Sequence, residues 1–223
     1  MTEEVQKPHY NVVIATPGHS LHRHYVHSLM ATIKWLEESR LTWHFVNKYS
    51  SFVSEAREKT ATNTDTNDWD TKEFGAGQFT YDKIVWIDSD VSWEPKDFER
   101  LISHDLDIVS GMVPVDDKGR IASTIFNEMG HPTVLNGMQF LIDGEPVQVD
   151  GVGFGFLAVS VGVFERIHRP WFKIRETRIP GAMYPVNLGE DFSWCEAATA
   201  AGFTIWLDPL VKVEHIKEFA LRL

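Results

Sequence analysis

Two carboxylates, one residue apart, directly follow an apolar segment near the middle of the chain. Residues 84–87 form an uninterrupted apolar run, and Asp88 and Asp90 come next. Such a run predicts a strand buried on both faces of an α/β sheet, and ligands of these sheets bind beyond the carboxyl ends of the strands. Paired carboxylates are costly there unless a cation compensates them, and magnesium or manganese prefers oxygen ligands. The pair indicates a divalent metal site, or more simply a turn before Pro95 that Ser89 or Asp90 caps.

The segments around this pair alternate between strand and helix patterns. The predicted strands are residues 11–15, 42–46, 84–87, 107–112, 204–207 and 211–213. The predicted helices are residues 21–38 with Ser20 as N-cap, 51–62, a helix from Pro95, and 190–201 closed by Gly202. This alternation predicts a mixed, mainly parallel sheet flanked by helices, and Asn-Gly and Asp-Gly pairs within residues 119–144 predict a small antiparallel hairpin region.

Two long loops lie between these elements. Residues 63–79 are polar, and residues 169–189 are rich in Pro, Arg and aromatics; both loops are expected to move and close over a ligand.

A chain of 223 residues with 43% hydrophobic content suits one domain over residues 1–223. The 21 basic and 32 acidic residues give a net charge of −11, which argues against unspecific binding of nucleic acid or anionic lipid.

The compartment follows from cysteine content and from hydropathy. Cys195 is the one cysteine of the sequence, so the fold contains no intrachain disulfide. Residues 1–10 are polar, without the apolar core of a signal peptide, and no segment reaches the apolar length that spans a bilayer. We expect a cytoplasmic protein without a transmembrane anchor, and peripheral attachment to a membrane face stays open.

An ordered set of motifs runs through the chain. In order these are Thr-Pro-Gly at 16–18, Ser-Glu-Ala-Arg at 54–57, Ile-Asp-Ser-Asp at 87–90, a glycine-rich segment at 150–156, Gly-Glu-Asp at 189–191 and Val-Glu-His at 213–215. From residue 10 to 216 this order resembles nucleotide-sugar glycosyltransferases of the GT-A type, close to the large family of inverting enzymes numbered two. The resemblance implies a single Rossmann-like GT-A domain that moves a sugar from a nucleotide-diphosphate sugar to an acceptor hydroxyl with inversion.

The resemblance also implies the roles of the acidic residues. Asp90 would bind Mn2+ or Mg2+ at the two phosphates, Asp88 would reach the ribose or a metal-bound water, and His215 would complete the metal site. Asp191, in the acidic pair with Glu190, would be the base that removes the proton of the acceptor hydroxyl. The alternative for this pair is that both carboxylates only complement a helix N-terminus.

The remaining implied contacts are with the donor and the acceptor. The residues placed at the nucleotide are Thr16, Pro17, His19 and Arg57. Asp150 would contact the donor sugar, while the absent side chains of Gly151, Gly153 and Gly155 would let backbone approach the sugar or acceptor. Trp171, with Phe172, forms either an acceptor platform or part of the core. The acceptor itself, whether glycan, protein or lipid-linked, is not specified.

Other classes fit the sequence less well. Four histidines between residues 19 and 27 include no cysteine or acidic partner, which argues against a zinc site. The turn after the first strand lacks the dinucleotide fingerprint of a dehydrogenase and the basic, glycine-rich loop of a sugar nucleotidylyltransferase. The alternative that stays open is a catalytically silent module that binds a nucleotide sugar or a glycan.

Overall fold

A seven-stranded sheet forms the centre of the molecule in the computed structural model, which describes residues 6–65, 73–126, 128, 131–140, 144–178 and 183–217. The strands are β1 (His9–Pro17), β2 (Trp43–Lys48), β3 (Thr80–Ile87), β4 (Val91–Ser92), β5 (Ile108–Met112), β6 (Arg120–Phe126), β7 (Pro132–Asn136), β8 (Val147–Val149), β9 (Gly151–Val152), β10 (Phe156–Ser160), β11 (Arg175–Thr177), β12 (Val186–Leu188), β13 (Ile205–Lys212) and β14 (Glu214–His215). The α-helices are α1 (Arg23–Glu38), α2 (Val53–Thr62), α3 (Pro95–Ser103), α4 (Val163–Arg166) and α5 (Glu190–Ala200). Short 3-10 helices span Phe74–Gly77 and Gly137–Phe140.

The strand order of the central sheet is β2-β1-β3-β10-β5-β13-β8. Strand β1 is parallel to β2 and β3, and β5 is parallel to β13. Strand β10 runs antiparallel to both of its neighbours, and β8 runs antiparallel to β13. Five strands therefore share one direction, so the predicted mixed and mainly parallel sheet is confirmed. Smaller antiparallel sheets are formed by β7-β6-β9, β11-β12 and β4-β14.

The predicted elements are present, with local differences. Helix α1 starts at Arg23 and its N-cap is His22, so the prediction of Ser20 as N-cap is wrong. The two predicted C-terminal strands are one strand, β13, whose register shifts between Leu207 and Lys212. The predicted loop 169–189 contains the β11-β12 hairpin, while parts of the two predicted mobile loops, residues 66–72 and 179–182, lie outside the described residues.

An aromatic cluster fills the core on the side of the sheet that carries α5. The ring of Phe154 meets those of Trp86, Phe172 and Trp194 edge-on, with centroids 4.9–5.4 Å apart. Trp171 is 1% exposed, and its indole N–H donates to the carbonyls of Phe164 and Ile167. A buried ring cannot offer a face to a sugar, so Trp171 and Phe172 belong to the core and their prediction as an acceptor platform is wrong.

The opposite face of the sheet packs against α1 and α3. Tyr25 of α1 lies edge-on to Trp93, and the Trp93 indole N–H donates to the Thr32 hydroxyl at 2.8 Å. Phe98 of α3 is fully buried beside them in the same apolar cluster. These contacts fix the segment between β3 and α3, which is the segment that carries the two carboxylates. In the part of the chain that the structure describes, no helix is long and apolar enough to cross a membrane.

Candidate active site

A tight turn at the carboxyl end of β3 positions both aspartates of the Asp-Ser-Asp motif. The backbone N–H of Asp88 donates to the carbonyl of Gly155 at 3.1 Å, and the N–H of Val91 donates back to the carbonyl of Asp88 at 3.0 Å. The buried strand thus ends at Ile87, and the carboxylates stand at the edge of the sheet where α/β proteins bind ligands.

Strand β14 brings His215 against Asp90. It pairs with β4 so that His215 lies opposite Val91, which places imidazole Nε2 3.1 Å from Asp90 Oδ2. The other ring nitrogen, Nδ1, is 2.8 Å from the carbonyl of Pro114, which can only accept, so Nδ1 carries hydrogen and donates. The contact with His215 lowers the pKa of Asp90 below its usual range, and the same contact raises the pKa of His215.

A lysine ammonium completes this corner of the site. Lys217 Nζ lies 2.6 Å from His215 Nε2 and 3.7 Å from Asp90 Oδ2. A cation is therefore held at the point where the carboxylate and the imidazole face each other. This lysine belongs to none of the sequence motifs, because a lone basic residue carries no positional signal.

Asp88 faces a different partner from Asp90. Its Oδ1 lies 3.4 Å from Nη2 of Arg57, while Nη1 of Arg57 donates to Oε1 of Glu190 at 2.7 Å. Of the predicted metal ligands, Asp90 and His215 are thus brought together, whereas Asp88 faces Arg57, and among the described residues no three His, Cys, Asp or Glu side chains are placed to hold one ion. Arg57 is 4% exposed, so it is a buried member of this site and not a solvated charge on the surface of α2.

The first turn of α5 carries the predicted base. Glu190 is 8% exposed and paired with Arg57, whereas Oδ1 of Asp191 accepts the backbone N–H of Phe192 at 2.8 Å. Burial raises the pKa of the Asp191 carboxyl; the Arg57 charge opposes this, while Glu190 and Asp88 add to it. When ionised, a carboxylate with a raised pKa is a stronger base towards a hydroxyl proton than an ordinary exposed aspartate.

A cavity of about 350 Å³ opens beside the Asp-Ser-Asp turn. Its wall includes Pro17, Tyr49, Arg57, Asp88, Ser89 and Asp90. His19 is exposed and lies edge-on to Tyr49, with centroids 4.9 Å apart. Tyr49 was missed from the sequence, although the signal exists: it directly follows β2, whose end pairs with Pro17 at the end of β1.

Thr16 does not face this cavity. The residue is fully buried, its hydroxyl is hydrogen-bonded to the Tyr25 hydroxyl, and its carbonyl accepts from the Asn47 amide at 2.7 Å. A fully buried residue cannot contact a nucleotide, so the predicted place of Thr16 at the nucleotide is wrong. The cause is the alternation of side chains along a strand, which turns Thr16 towards α1.

The glycine-rich segment packs against protein. A Cβ at Gly155 would lie 3.0 Å from Val113 Cγ1 and a Cβ at Gly153 would lie 3.0 Å from Ala122 Cβ, whereas at Gly151 it would overlap the ring of Phe192. All three glycines are buried, so they serve close packing between neighbouring segments, and the expected approach to a sugar does not explain them. Asp150 accepts the backbone N–H of Phe126 at 2.6 Å, and its contact with a donor sugar stays a prediction.

Comparison with known proteins adds evidence on the fold alone. Neither a protein-family model nor a curated protein sequence matches the chain. The structure of GalNAc-T7 with UDP, GalNAc and Mn2+ is similar at a TM-score of 0.50 and 11% identity, over 96% of this chain and 45% of that chain. A197 from STIV is similar at a TM-score of 0.48 and 16% identity, over 96% of this chain and 97% of that chain. The catalytic domain of Drosophila beta1,4-galactosyltransferase 7 is similar at a TM-score of 0.49 and 11% identity, over 95% of this chain and 71% of that chain. The chain has a GT-A, Rossmann-like fold.

Proposed function

We propose that the chain, as one catalytic domain over residues 1–223, is a metal-dependent glycosyltransferase that moves a sugar from a nucleotide-diphosphate sugar to an acceptor hydroxyl with inversion. The observation that carries the proposal is the contact between Asp90 and His215, two residues 125 positions apart in the chain, beside a cavity that Asp88 and Asp90 line. The resemblance in motif order and the GT-A fold support the same class.

The Asp90–His215 pair fits a divalent metal in three respects. Two adjacent ligands of an octahedral ion, each bound at about 2.1 Å, lie about 3 Å apart, and the observed separation is 3.1 Å. Donation from Nδ1 to a backbone carbonyl is the usual support of a metal-ligating histidine. The Lys217 ammonium lies at the same pair, which supports it as a position for a cation. Asp90 and His215 would hold Mn2+ or Mg2+, and the imidazole favours manganese.

When bound, the ion would act as a Lewis acid that offsets negative charge on the leaving diphosphate. The cavity beside Asp88 would receive the nucleotide, with Pro17 and Tyr49 as wall residues and His19 at the rim. Asp88, at the same edge, would reach the ribose. GalNAc-T7, the structural neighbour with a similar fold, contains UDP and Mn2+ in its structure, which supports a uridine nucleotide and manganese as the first ligands to test.

Asp191 would take the proton of the acceptor hydroxyl as that oxygen attacks the anomeric carbon from the face opposite the diphosphate. A hydroxyl is a poor nucleophile until its proton leaves, and a well-placed base contributes about 10²–10⁴-fold to the rate. The first turn of α5 and the glycine-rich segment lie close to this carboxylate and partly shield it from bulk water. The competing function is a silent nucleotide-sugar binding module, which is favoured because only two of the three predicted metal ligands meet among the described residues.

A thermal-shift screen of nucleotide-diphosphate sugars, with and without Mn2+, tests binding first, since a ligand of the native state raises its stability. Donor hydrolysis and transfer to a panel of acceptors are then measured for the parent and for Asp191→Asn. We expect the variant to bind donor as the parent does and to lose transfer, while the control Glu99→Gln, on the outer face of α3, retains it. Equal transfer by Asp191→Asn and parent would remove Asp191 as the base. Binding without turnover would favour the silent module.

A further inference from the structure

One guanidinium stands where four segments of the chain meet. Arg57 extends from α2 and donates to Glu190 at the start of α5, at 2.7 Å, and lies 3.4 Å from Asp88 after β3. Its guanidinium carbon lies 5.1 Å from the ring centroid of Phe154, in the glycine-rich segment. The side chain is 4% exposed, so these contacts, rather than solvent, define its position.

The charges around this arginine are unbalanced towards negative. Glu190, Asp88 and Asp191 contribute three carboxylates, and Arg57 is the one cation among the described residues that hydrogen-bonds to any of them. Glu190 is buried and has no other hydrogen-bond partner in the described part of the chain. A buried carboxylate without a cation becomes neutral or moves towards water. The position of the first turn of α5 therefore depends on Arg57.

We propose that Arg57 is a positioning residue that ties the turn carrying Asp88 to the helix carrying the base and holds Asp191 ready to accept a proton. Its hydrogen bonds are directed at Asp88 and Glu190, which differs from the direct nucleotide contact that the motif resemblance implies. The proposal rests on the proposed function for the role of Asp191 as base. It goes further by making proton acceptance at one end of the cleft depend on a charge carried by another helix.

The groups that face Asp191 determine what removal of Arg57 would do. Arg57 approaches from α2, Asp88 from the β3 turn, and Glu190 and Cys195 from α5 itself. Burial raises the pKa of the Cys195 thiol to about 12, so this group is neutral and adds no charge. Without Arg57, burial and the charges of Glu190 and Asp88 would all raise the pKa of Asp191, so its carboxyl group would stay protonated to a higher pH.

Carbon-13 NMR of the free protein, with labelled aspartate side-chain carboxyls, tests this directly. The Asp191 signal is assigned by its loss in Asp191→Asn, and its titration midpoint is compared across variants. Because the Arg57 charge opposes the rise that burial causes in the Asp191 pKa, Arg57→Met should raise the midpoint. Arg57→Lys, which keeps a charge, should show a smaller rise.

Arg169→Met is the matched control, because Arg169 forms a comparably buried pair with Glu58, the residue next to Arg57 on α2. This control should leave the midpoint unchanged. An unchanged midpoint in Arg57→Met, or an equal rise in Arg169→Met, would overturn the proposal. If Arg57→Met does not fold, Arg57→Met/Glu190→Gln is compared with Glu190→Gln alone, and the same rise is expected because no unpaired buried Glu190 carboxylate remains.

The NMR titration tests the role of Arg57 independently of the proposed glycosyltransferase function, because no donor is present in it. A donor screen without binding or turnover would defeat the glycosyltransferase assignment and leave the midpoint to decide the role of Arg57. With an active donor, the acid limb of the transfer rate should move with the midpoint in Arg57→Met. If the acid limb of the transfer rate stays at the same pH in Arg57→Met while the NMR midpoint of Asp191 moves, Asp191 is not the base.

Discussion

Replacing Lys217 should strengthen the binding of a divalent metal, although the lysine contacts both proposed ligands. Its ammonium lies 2.6 Å from Nε2 of His215 and 3.7 Å from Oδ2 of Asp90, the two atoms that would face the ion. The ammonium and a metal ion cannot occupy this corner together, because both are cations and both need the same lone pairs. Lys217 therefore competes with the metal, and Lys217→Met removes the competitor.

The size of the effect follows from exposure and distance. The side chains of Lys217 and Asp90 are 51% and 43% exposed, so the surroundings of the pair resemble water more than a protein interior. Opposite charges about 4 Å apart are worth about 1 kcal/mol under such conditions, and exposed pairs are typically worth about 0.2–1 kcal/mol. Because 1.4 kcal/mol corresponds to about tenfold in affinity, Lys217→Met should bind Mn2+ up to about fivefold more tightly.

Electron paramagnetic resonance of free Mn2+, titrated into donor-free protein at constant ionic strength, measures this affinity. Lys217→Arg should behave as the parent, and Lys212→Met, which removes an exposed lysine from β13, controls for the change in net charge. The gap between Lys217→Met and the parent should narrow as salt is added, since salt screens exposed charges. Equal affinities of parent and Lys217→Met, or equal gains in both methionine variants, would refute the competition.

Two further predictions concern Asp191 and Trp171. Because burial raises the pKa of Asp191 and a base must be ionised, the transfer rate should fall as pH is lowered through a midpoint above the ordinary aspartate value of 3.8, and a pH–rate profile with the acid limb at or below that value would contradict it. Trp171→Phe removes a buried indole N–H that serves two carbonyls, so the free energy of unfolding should fall by about 1–3 kcal/mol in urea denaturation while the acceptor KM stays unchanged. A raised KM at unchanged stability would restore the acceptor platform.

Sequence reasoning succeeded where local chemistry decides the structure. An apolar run that ends in carboxylates places Asp88 and Asp90 at a strand end, and it does so whatever the rest of the fold is. Pro95 begins α3 as its fixed φ angle favours, and the helix from Glu190 ends one residue before the predicted Ala201. The contact between Asp90 and His215 required the order of motifs as well, because spacing alone does not show which strand ends are neighbours.

The predictions that are wrong concern side-chain direction, which depends on packing partners distant in sequence. Ser20 is the better N-cap by type, but the backbone N–H of His22 donates to the carbonyl of Ser89, and this contact delays the start of α1. Thr16 is polar and follows the predicted strand 11–15, yet it lies within β1 and its hydroxyl is hydrogen-bonded to Tyr25 in the interior. Trp171 stands in a predicted loop rich in Pro, Arg and aromatics, but its indole N–H donates to two carbonyls in the core.

The antiparallel strand β10, which the alternation of strands and helices does not reveal, explains why the cleft forms. Phe156, the first residue of β10, pairs with Ile87, the last residue of β3, so the glycine-rich segment arrives at the carboxyl edge of the sheet. There Gly155 accepts the N–H of Asp88, and Phe154 lies under Arg57. A parallel strand in the same position would begin at the other end of β3, about 23 Å away for a strand of 8 residues. The reversed direction of β10 is thus what brings the glycine-rich segment, and with it Phe154, to the aspartate turn and Arg57.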